Sequence, residues 1–426
     1  MRLLSYTIII LGVLNVIRMT LYMLGSDIYT IKNTLRAKAV ATKRRRYHPS
    51  VTIVVPVHNE GPIITRTMDS LAEIVYTPSK LQIIVINDGS TDQTARAVKN
   101  YIRRYVRKTG DTTRFKLVNQ QNGGKADALN NAIRNHATGS LVMCLDGDST
   151  IARDGIEKAV QYFRGNDTAA LASNVNIMEN QTLLGLVQRF EYLVSYQMKK
   201  AQTTYNLEYI IGGIGSMFRR SMLRRVEFYD TNTMTEDIDL TMKIITKGNR
   251  KHRVVYASDV ITYTEPVLTL RALINQRFRW KYGRMQTFLK NHQLFFNRNK
   301  KYTRRLTWLI LPFAVLQELM FLVEPIFVTF IIASSIMFHD PGIMLTACLL
   351  ISTYMIFNIV SSEHLSTKER VRLSVMAPSM YFYMYVLAIA EYAALIKSIA
   401  KLKGLPDSIK EDRVTWVSPE RSAAHV

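Results

Sequence analysis

Apolar residues are concentrated at the two ends of the chain, whereas the middle mixes apolar with polar positions. Residues 3–24 form a run long enough to span about 30 Å of hydrocarbon as a helix. Further apolar runs cover 306–338, 342–361 and 373–396. The pattern therefore predicts a globular domain, within residues 50–300, between α-helical transmembrane segments at both ends.

The middle region alternates short apolar runs with longer helical segments. The runs at 52–57, 81–86 and 141–145 are short and apolar, with many β-branched residues in the first two, which is typical of strands buried in a parallel sheet. The segments with helical character are 62–75, 92–107 and 125–137. This βαβ order predicts an α/β nucleotide-binding domain, Rossmann-like with a mostly parallel sheet, whose ligands gather at the carboxyl ends of the strands.

The first apolar run contains Asn15 and Arg18, which are unusual in a membrane span. A cleaved signal peptide is the alternative to an anchor. A signal peptide has a shorter apolar region followed by a small-residue cleavage site, whereas basic residues follow here. We therefore expect an uncleaved anchor whose C-terminal end lies in the cytoplasm.

The run over 306–338 allows two membrane arrangements. As one helix it would be about 50 Å long, which exceeds a straight span. It is either an interfacial helix that leads into one tilted span, or two spans that break at Pro325. Its polar residues Gln317, Glu318 and Glu324 face either a wet path between helices or the lipid headgroups.

The formal net charge of +23 is concentrated beside the apolar segments, within 32–46 and 290–305. Cations next to membrane spans mark the cytoplasmic side and attract anionic headgroups by roughly 1 kcal/mol each. Nucleic acid is the alternative partner, but no nucleic-acid-binding module is recognisable. We expect the lipid bilayer as the partner, no nucleic acid, and a multi-pass protein of the cell membrane. The two cysteines imply no disulfide framework.

These patterns divide the chain into six segments. They are an N-terminal transmembrane anchor (1–25), a basic juxtamembrane linker (26–49), a cytoplasmic globular domain (50–284), a basic interfacial helix (285–305), a C-terminal transmembrane region (306–396) and a basic tail (397–426).

Polar motifs follow the first two predicted strands. Pro56 and Glu60 belong to the sequence VPVHNE, and Asp88 belongs to NDGSTD. A carboxylate at a strand end can accept hydrogen bonds from a base or a ribose. Asp92 is better interpreted as a helix cap. Lys125 follows two glycines, and a lysine there is either a point charge for phosphate or an ordinary helix start.

The sequence Asp146-Gly147-Asp148 follows the apolar run 141–145. Residues two apart on a strand point to the same face, so both carboxylates could bind one cation. Hard oxygen ligands suit Mg²⁺ or Mn²⁺. No cluster of His or Cys in the sequence competes as a zinc site.

Three later motifs have both a structural and a chemical interpretation. Gly213 belongs to a glycine-rich stretch that is either a flexible loop or a point of close backbone approach to an acceptor. Glu236 and Asp237 begin a helix, where acids serve the helix dipole or remove a proton from a hydroxyl group. Gln276 and Trp280 share one helix face, and a tryptophan there is usually a core residue.

The order DGD (146–148), TED (235–237) and QRFRW (276–280) resembles the processive family 2 glycosyltransferases, which build cellulose, hyaluronan, chitin and poly-N-acetylglucosamine. The resemblance covers about 52–290 and is strongest to bacterial poly-β-1,6-N-acetylglucosamine synthases. His58 and the pair Lys281-Tyr282 depart from the usual pattern of those enzymes, which leaves the identity of the sugar open.

The resemblance implies a GT-A nucleotide-sugar-binding domain with a role for each motif residue. Asp237, with Glu236 beside it, would be the general base. Donor binding would involve Pro56, Glu60, Asp88, Lys125, Asp146, Gln276 and Arg279. Asp148 and Asp146 would hold Mg²⁺ or Mn²⁺, and Gly213 and Trp280 would contact the acceptor.

The expected function is therefore inverting transfer of a sugar, N-acetylglucosamine by resemblance, from its UDP conjugate to the non-reducing end of a growing β-linked polysaccharide, with possible coupling to export. The expected partners are a UDP-sugar, a polysaccharide or oligosaccharide acceptor, the bilayer, and a small membrane accessory subunit as in poly-N-acetylglucosamine systems. The alternatives are a glycolipid synthase that makes one or few transfers, and a non-catalytic membrane scaffold that binds anionic polymers.

Overall fold

The computed structural model describes residues 2–41, 47–179, 181–339, 341–362 and 364–409. Most of the predicted basic tail, residues 410–426, lies outside the described residues.

Eight strands of the described chain form one sheet in the order β3-β2-β1-β4-β7-β6-β8-β5. The strands are β1 (Val51–Val57), β2 (Leu81–Asp88), β3 (Phe115–Gln120), β4 (Leu141–Cys144), β5 (Thr150–Ile151), β6 (Thr168–Ile177), β7 (Ser216–Arg219) and β8 (Arg253–Thr264).

The sheet is parallel in one half and mixed in the other. β1 pairs in parallel with β2 and β4, and β2 pairs in parallel with β3, as the βαβ pattern predicted. In the second half β6 pairs in parallel with β8, whereas β4–β7, β6–β7 and β5–β8 are antiparallel. The α/β domain is therefore confirmed, with a mixed sheet.

The helices lie on both faces of the sheet and at the two ends of the chain. They are α1 (Arg2–Ala41), α2 (Ile64–Ala72), α3 (Thr94–Thr109), α4 (Lys125–Asn131), α5 (Gly155–Gln161), α6 (Leu183–Tyr205), α7 (Arg220–Arg225), α8 (Glu236–Thr246), α9 (Leu270–Lys290), α10 (Leu311–Met337), α11 (Gly342–Val360), α12 (Thr367–Ala400) and α13 (Leu405–Ser408).

Each face of the sheet has its own apolar core, because alternate residues of a strand point to opposite faces. On β1, Val54 packs into one core, whereas Ile53 and Val55 pack into the other. All seven residues of β1 are buried, as expected for a central parallel strand. Because β1 pairs in parallel with both β2 and β4, the carboxyl ends of these three strands lie together at one edge of the sheet.

The N-terminal helix is longer than the predicted anchor. α1 continues through most of the predicted linker to Ala41, since lysine and arginine are good helix formers. Its second half packs on the globular domain: Ser26 donates a hydrogen bond to Gln197 of α6, and the Tyr29 hydroxyl donates one to the Tyr256 carbonyl at 2.9 Å. The linker is therefore a structured contact with the domain in its described part.

The segment 285–305 differs from the expected interfacial helix. α9 ends at Lys290, and a single 3₁₀ turn and an irregular segment follow. Asparagine side chains support the irregular segment, because Asn297 accepts from the Asn299 amide at 2.9 Å and Asn299 accepts from the Lys301 amide at 3.0 Å. Such local side-chain hydrogen bonds compete with helix formation.

Near the C-terminus, α10 continues through Pro325 as one helix. Among the described residues, one helix, α12, is long and apolar enough to cross a membrane, and the apolar stretches 306–322 and 344–360 are shorter. The first part of α12 contacts the globular domain through Glu369 and Arg189 (2.8 Å), and its last part contacts Asn275 through Lys397 (3.0 Å).

Candidate active site

A cavity of ≈ 620 Å³ opens at the carboxyl edge of the sheet and extends between α6, α8, α9, α10 and α12. Eight of the predicted site residues line it: Lys125, Asp146, Gly213, Glu236, Asp237, Gln276, Arg279 and Trp280. The fold thus brings together motifs that are separated by more than 150 positions in the sequence.

Lys125 lies among three carboxylates at the floor of the cavity. Its Nζ is 2.8 Å from Asp146 Oδ1 and 3.4 Å from Glu236 Oε1. Burial alone would lower the pKa of Lys125, but the charges of Asp146, Glu236 and Asp237 raise it above its usual range. The lysine is therefore a permanent cation, suited to an anionic ligand such as a diphosphate.

Asp237, at the start of α8, has an environment suited to a general base. Burial and the neighbouring Glu236 charge raise the pKa of Asp237 to about 7, against the opposing effect of Lys125. Its Oδ1 accepts from its own helix, at the Ile238 amide (2.8 Å). A carboxyl group with a pKa near neutral can take a proton at physiological pH.

Gly213 lies next to both Lys125 and Asp237 and leaves the space between them open. A Cβ at this position would lie 3.0 Å from Lys125 Nζ and 3.6 Å from Asp237 Oδ2. A larger residue would therefore fill the space between the cation and the carboxylate. The backbone at Gly213 therefore lies close to the Lys125 and Asp237 side chains, which a merely flexible loop would not require.

Asp88, at the end of β2, holds the loop that carries Lys125. Its Oδ1 accepts from the Gly123 amide and its Oδ2 from the Gly124 amide, both at 2.9 Å, and Gln120 Nε2 donates to Oδ1 at 2.8 Å. Three donors occupy most of the acceptor capacity of one carboxylate. The arrangement fixes the glycine loop, and Asp88 does not line the cavity.

The sequence Asp146-Gly147-Asp148 forms a turn after β4 and is not a continuation of the strand. The strand alternation expected for the two carboxylates therefore does not apply. Asp146 lines the cavity, whereas Asp148 is 2% exposed and its Oδ1 accepts from the Ser149 hydroxyl at 2.8 Å. A Cβ on Gly147 would lie 1.9 Å from Glu60 Oε2.

The donor set at this turn fits a hard divalent cation that is completed by substrate phosphates. Mg²⁺ is commonly held by one or two carboxylates together with phosphate oxygens, and Asp146 and Asp148 supply two carboxylates. No group of three or more metal-binding side chains occurs in the described part of the chain. The turn would therefore bind the ion together with the nucleotide.

Pro56 and Glu60 do not line the cavity. Pro56 is buried in β1, paired with Ile86 of β2 and beyond the last residue of β1 that pairs with β4. The missing N–H of proline therefore removes no hydrogen bond from the β4 side. Glu60 packs against the Gly147 turn.

Gln276, Arg279 and Trp280 lie on α9, as the helical spacing predicted. All three line the cavity, and Trp280 is only half-buried. The guanidinium carbon of Arg277 lies 4.3 Å from the centre of the Trp280 ring. Trp280 is therefore part of the cavity wall and not a core residue.

Several charged residues of the cavity wall were not predicted as site residues. They are Glu191, Arg277, Lys281, Arg284 and Glu391, which line the cavity together with Glu318. Glu391 could have been recognised in the sequence, because it is an acid inside the apolar run 373–396. The pairing of these residues depends on helices far apart in the sequence.

Neighbouring motif residues have structural roles. Asp239 is fully buried and pairs with Lys290 at 2.8 Å. Asp92 accepts from the Thr94 amide at 2.9 Å just before α3, but the cap position itself is occupied by Gln93, one residue later than the sequence interpretation placed it. Thr235 occupies the cap position of α8 without a side-chain capping hydrogen bond.

Comparison with known proteins agrees with this geometry. The model of glycosyl transferase family group 2 matches residues 141–389, and that of glycosyl transferase family 2 matches residues 52–227. The chain therefore belongs to the family 2 glycosyltransferases and is a nucleotide-sugar-dependent glycosyltransferase. The prediction of this family is confirmed, and the non-catalytic scaffold is set aside.

Among its relatives, the chain is similar to the poly-β-1,6-N-acetyl-D-glucosamine synthases of Staphylococcus aureus and Staphylococcus epidermidis. It is 30% identical to the first over 62% of this chain and 60% of that protein, and 29% identical to the second over 57% and 56%. The matches thus span less than two thirds of these relatives. The fold is similar to that of a mannosyltransferase from Pyrobaculum calidifontis, solved with GDP-Man and Mn²⁺ (TM-score 0.54, 22% identity, 89% of this chain and 98% of that one).

Proposed function

We propose that the protein is an inverting transferase that moves N-acetylglucosamine from its UDP conjugate to the non-reducing end of a growing β-linked polysaccharide. The observation that carries the proposal is Asp237, a carboxyl group with a pKa of about 7, in one cavity with Lys125 and Trp280. The similarity to poly-N-acetylglucosamine synthases supports the choice of sugar.

Each residue has one task in the transfer. Asp237 takes the proton of the acceptor hydroxyl while that oxygen bonds to the anomeric carbon and the bond from that carbon to the diphosphate breaks. Lys125 and Arg279 bind the departing UDP, because both present donors to phosphate. Trp280 presents its aromatic face to the acceptor sugar. When bound at Asp146 and Asp148, Mg²⁺ or Mn²⁺ would neutralise diphosphate charge.

A donor screen tests the proposal. The purified protein in lipid nanodiscs, with Mg²⁺ or Mn²⁺, should release UDP fastest from UDP-N-acetylglucosamine among a panel of UDP-sugars and GDP-mannose. Products of increasing length on a gel would support polymer synthesis. A product that stops after one or two sugars on a lipid would identify a glycolipid synthase instead, and no UDP release from any donor would contradict the proposal.

Trp280 provides a prediction about the acceptor. Trp280→Ala removes the aromatic platform, so acceptor KM should rise or products should shorten, while UDP affinity stays near that of the parent. Trp308→Ala is the matched control, because Trp308 contacts Phe296 outside the cavity. Normal chain length at a normal rate for Trp280→Ala would show that the ring does not bind acceptor.

We also propose that the chain is a multi-pass protein of the cell membrane with residues 50–284 in the cytoplasm. Large apolar side chains are exposed along the described parts of all four terminal helices, for example Leu21 on α1, Leu316 on α10, Leu349 on α11 and Ile389 on α12. Exposed apolar surface of this extent is typical of contact with lipid or with other subunits. A small membrane accessory subunit would cover part of it.

Cysteine labelling tests this topology. With Cys144 and Cys348 replaced, Thr112→Cys on the globular domain should resist an impermeant thiol reagent in intact cells and react after permeabilisation. A second label at Ser422, outside the described residues, shows on which side of the membrane the tail lies. Protection of this label means an even number of membrane spans after the globular domain, and reactivity means an odd number. Labelling of Thr112→Cys in intact cells would contradict the cytoplasmic placement.

A further inference from the structure

Six charged side chains from four helices meet on the wall of the cavity, and we call them the charge cluster. Its acids come from α6, α10 and α12, and its bases all come from α9. The members are Glu191, Glu318, Glu391, Arg277, Lys281 and Arg284. The three acids and three bases balance in charge.

Arg277 is the member of the charge cluster that touches the proposed acceptor platform. It is 3% exposed. Its Nη2 donates a hydrogen bond to Glu191 Oε2 at 2.6 Å, and its Nε forms an ion pair with Glu391 Oε1 at 3.3 Å, so the guanidinium lies between acids of two helices. The same guanidinium lies over the Trp280 ring at 4.3 Å. A planar guanidinium stacks on an indole face, which a lysine ammonium does less well.

Stability does not account for this arrangement. Removing charged groups from water costs several kcal/mol per ion, and well-packed apolar residues of similar volume are often as stable or more so. What ion pairs can provide is a fixed geometry, because paired charges restrict the relative positions of the side chains that they join. Here the fixed geometry is that of the guanidinium over the tryptophan.

We infer that Glu391 and Glu191 are positioning residues for acceptor binding, which act through Arg277 on Trp280. The guanidinium covers one face of the indole and fixes the ring, so that the other face is presented to the acceptor sugar. The inference rests on the proposed acceptor role of Trp280. It assigns a function to a charged residue of α12, the apolar helix that is long enough to cross a membrane.

Glu391 also joins α12 to α9 at a second point, because its Oε2 lies 2.8 Å from Lys281 Nζ. One carboxylate thus contacts the helix of the acceptor motif on both sides of Trp280 in the sequence. A shift of α12 along α9 would therefore move Arg277 away from the ring. Acceptor affinity depends on the placement of this terminal helix.

Tryptophan fluorescence tests the inference without any turnover. The chain has three tryptophans, so Trp308→Phe with Trp416→Phe leaves Trp280 as the sole emitter. In that background Glu391→Gln and Arg277→Lys should each shift the emission and increase quenching by acrylamide, and Glu391→Asp should return both toward the parent. Glu318→Gln is the matched control, because Glu318 pairs with Lys281 and Arg284 and not with Arg277. Its emission should equal that of the parent.

Kinetics supply the second readout. Glu391→Gln and Arg277→Lys should raise acceptor KM by roughly 2- to 30-fold, the range expected for loss of one cation–π contact, with unchanged UDP affinity. The double variant should be no worse than the single ones, since both act on one contact. Parent-like emission and KM in both single variants would overturn the inference. A protein that releases no UDP would instead overturn the proposed function, and the emission would still decide the positioning.

Discussion

Asp237→Asn should reduce sugar transfer by roughly 10²–10⁴-fold, the effect expected when a general base is removed, while UDP binding persists. The substitution keeps the shape of the side chain and its hydrogen bond from the Ile238 amide. The measurement is single-turnover transfer from UDP-N-acetylglucosamine, with UDP affinity determined separately by calorimetry. Near-normal transfer would place the base elsewhere. Glu236 would then be the next candidate, because Asp239 is buried against Lys290.

The same residue predicts the pH dependence of the rate. Since the pKa of Asp237 is raised to about 7, kcat/KM should increase with pH through a midpoint near 7, where the base loses its proton in the free enzyme. The Asp237→Asn enzyme should lose this limb of the profile. An unchanged pH profile in the variant would show that another group titrates.

Stability should respond to pH in the opposite direction. Between the ordinary pKa of an aspartate and about 7, the folded protein keeps a proton on Asp237 that the unfolded chain releases. The free energy of unfolding therefore falls as pH rises through this window. Asparagine does not titrate, so Asp237→Asn should not lose unfolding free energy as pH rises through this window. Above pH 7 the variant should therefore unfold at a temperature no lower than that of the parent. This result would separate lost chemistry from lost folding.

Removal of divalent metal should abolish turnover. Without the cation, the carboxylates of Asp146 and Asp148 would face an anionic diphosphate and repel it, and Lys125 and Arg279 alone would have to offset the charge of the leaving group. Mg²⁺ or Mn²⁺ should restore the rate, and Asp148→Asn should raise the metal concentration needed. Asp154→Asn is the matched control, because Asp154 is a half-exposed acid paired with Lys158. Binding of Mn²⁺ in the presence of UDP, followed by electron paramagnetic resonance, is a readout independent of activity. Full activity in chelator would contradict the assignment.

Features set by local sequence could be predicted. β1, β2 and β4 are short, largely apolar runs, and β-branched residues predominate in β1 and are frequent in β2, so their burial in a parallel sheet follows from composition alone. The start of α3 next to Asp92 and the helix that carries Gln276 and Trp280 also depend only on nearby residues.

Features set by distant residues could not be predicted in the same way. The antiparallel pairing of β7 with β4 and β6 depends on register between segments far apart in sequence. The Asp146–Asp148 turn was interpreted as part of a strand, because nothing local shows where β4 ends. The two ion pairs of Arg277 are made with acids of α6 and α12. No spacing in the sequence relates these two helices.

The contact between Gly147 and Glu60 has a consequence for engineering the proposed donor site. A Cβ on Gly147 would overlap the Glu60 carboxylate. The side chain allowed at either of these two positions therefore depends on the residue at the other. Substitutions at Gly147 alone would mostly clash with the Glu60 side chain. Smaller residues at position 60 alone would leave an empty space beside Gly147. Variants of this turn should therefore be sought as pairs at these two positions, with the Thr67 hydroxyl, which donates to the Gly147 carbonyl at 2.7 Å, kept to hold the turn.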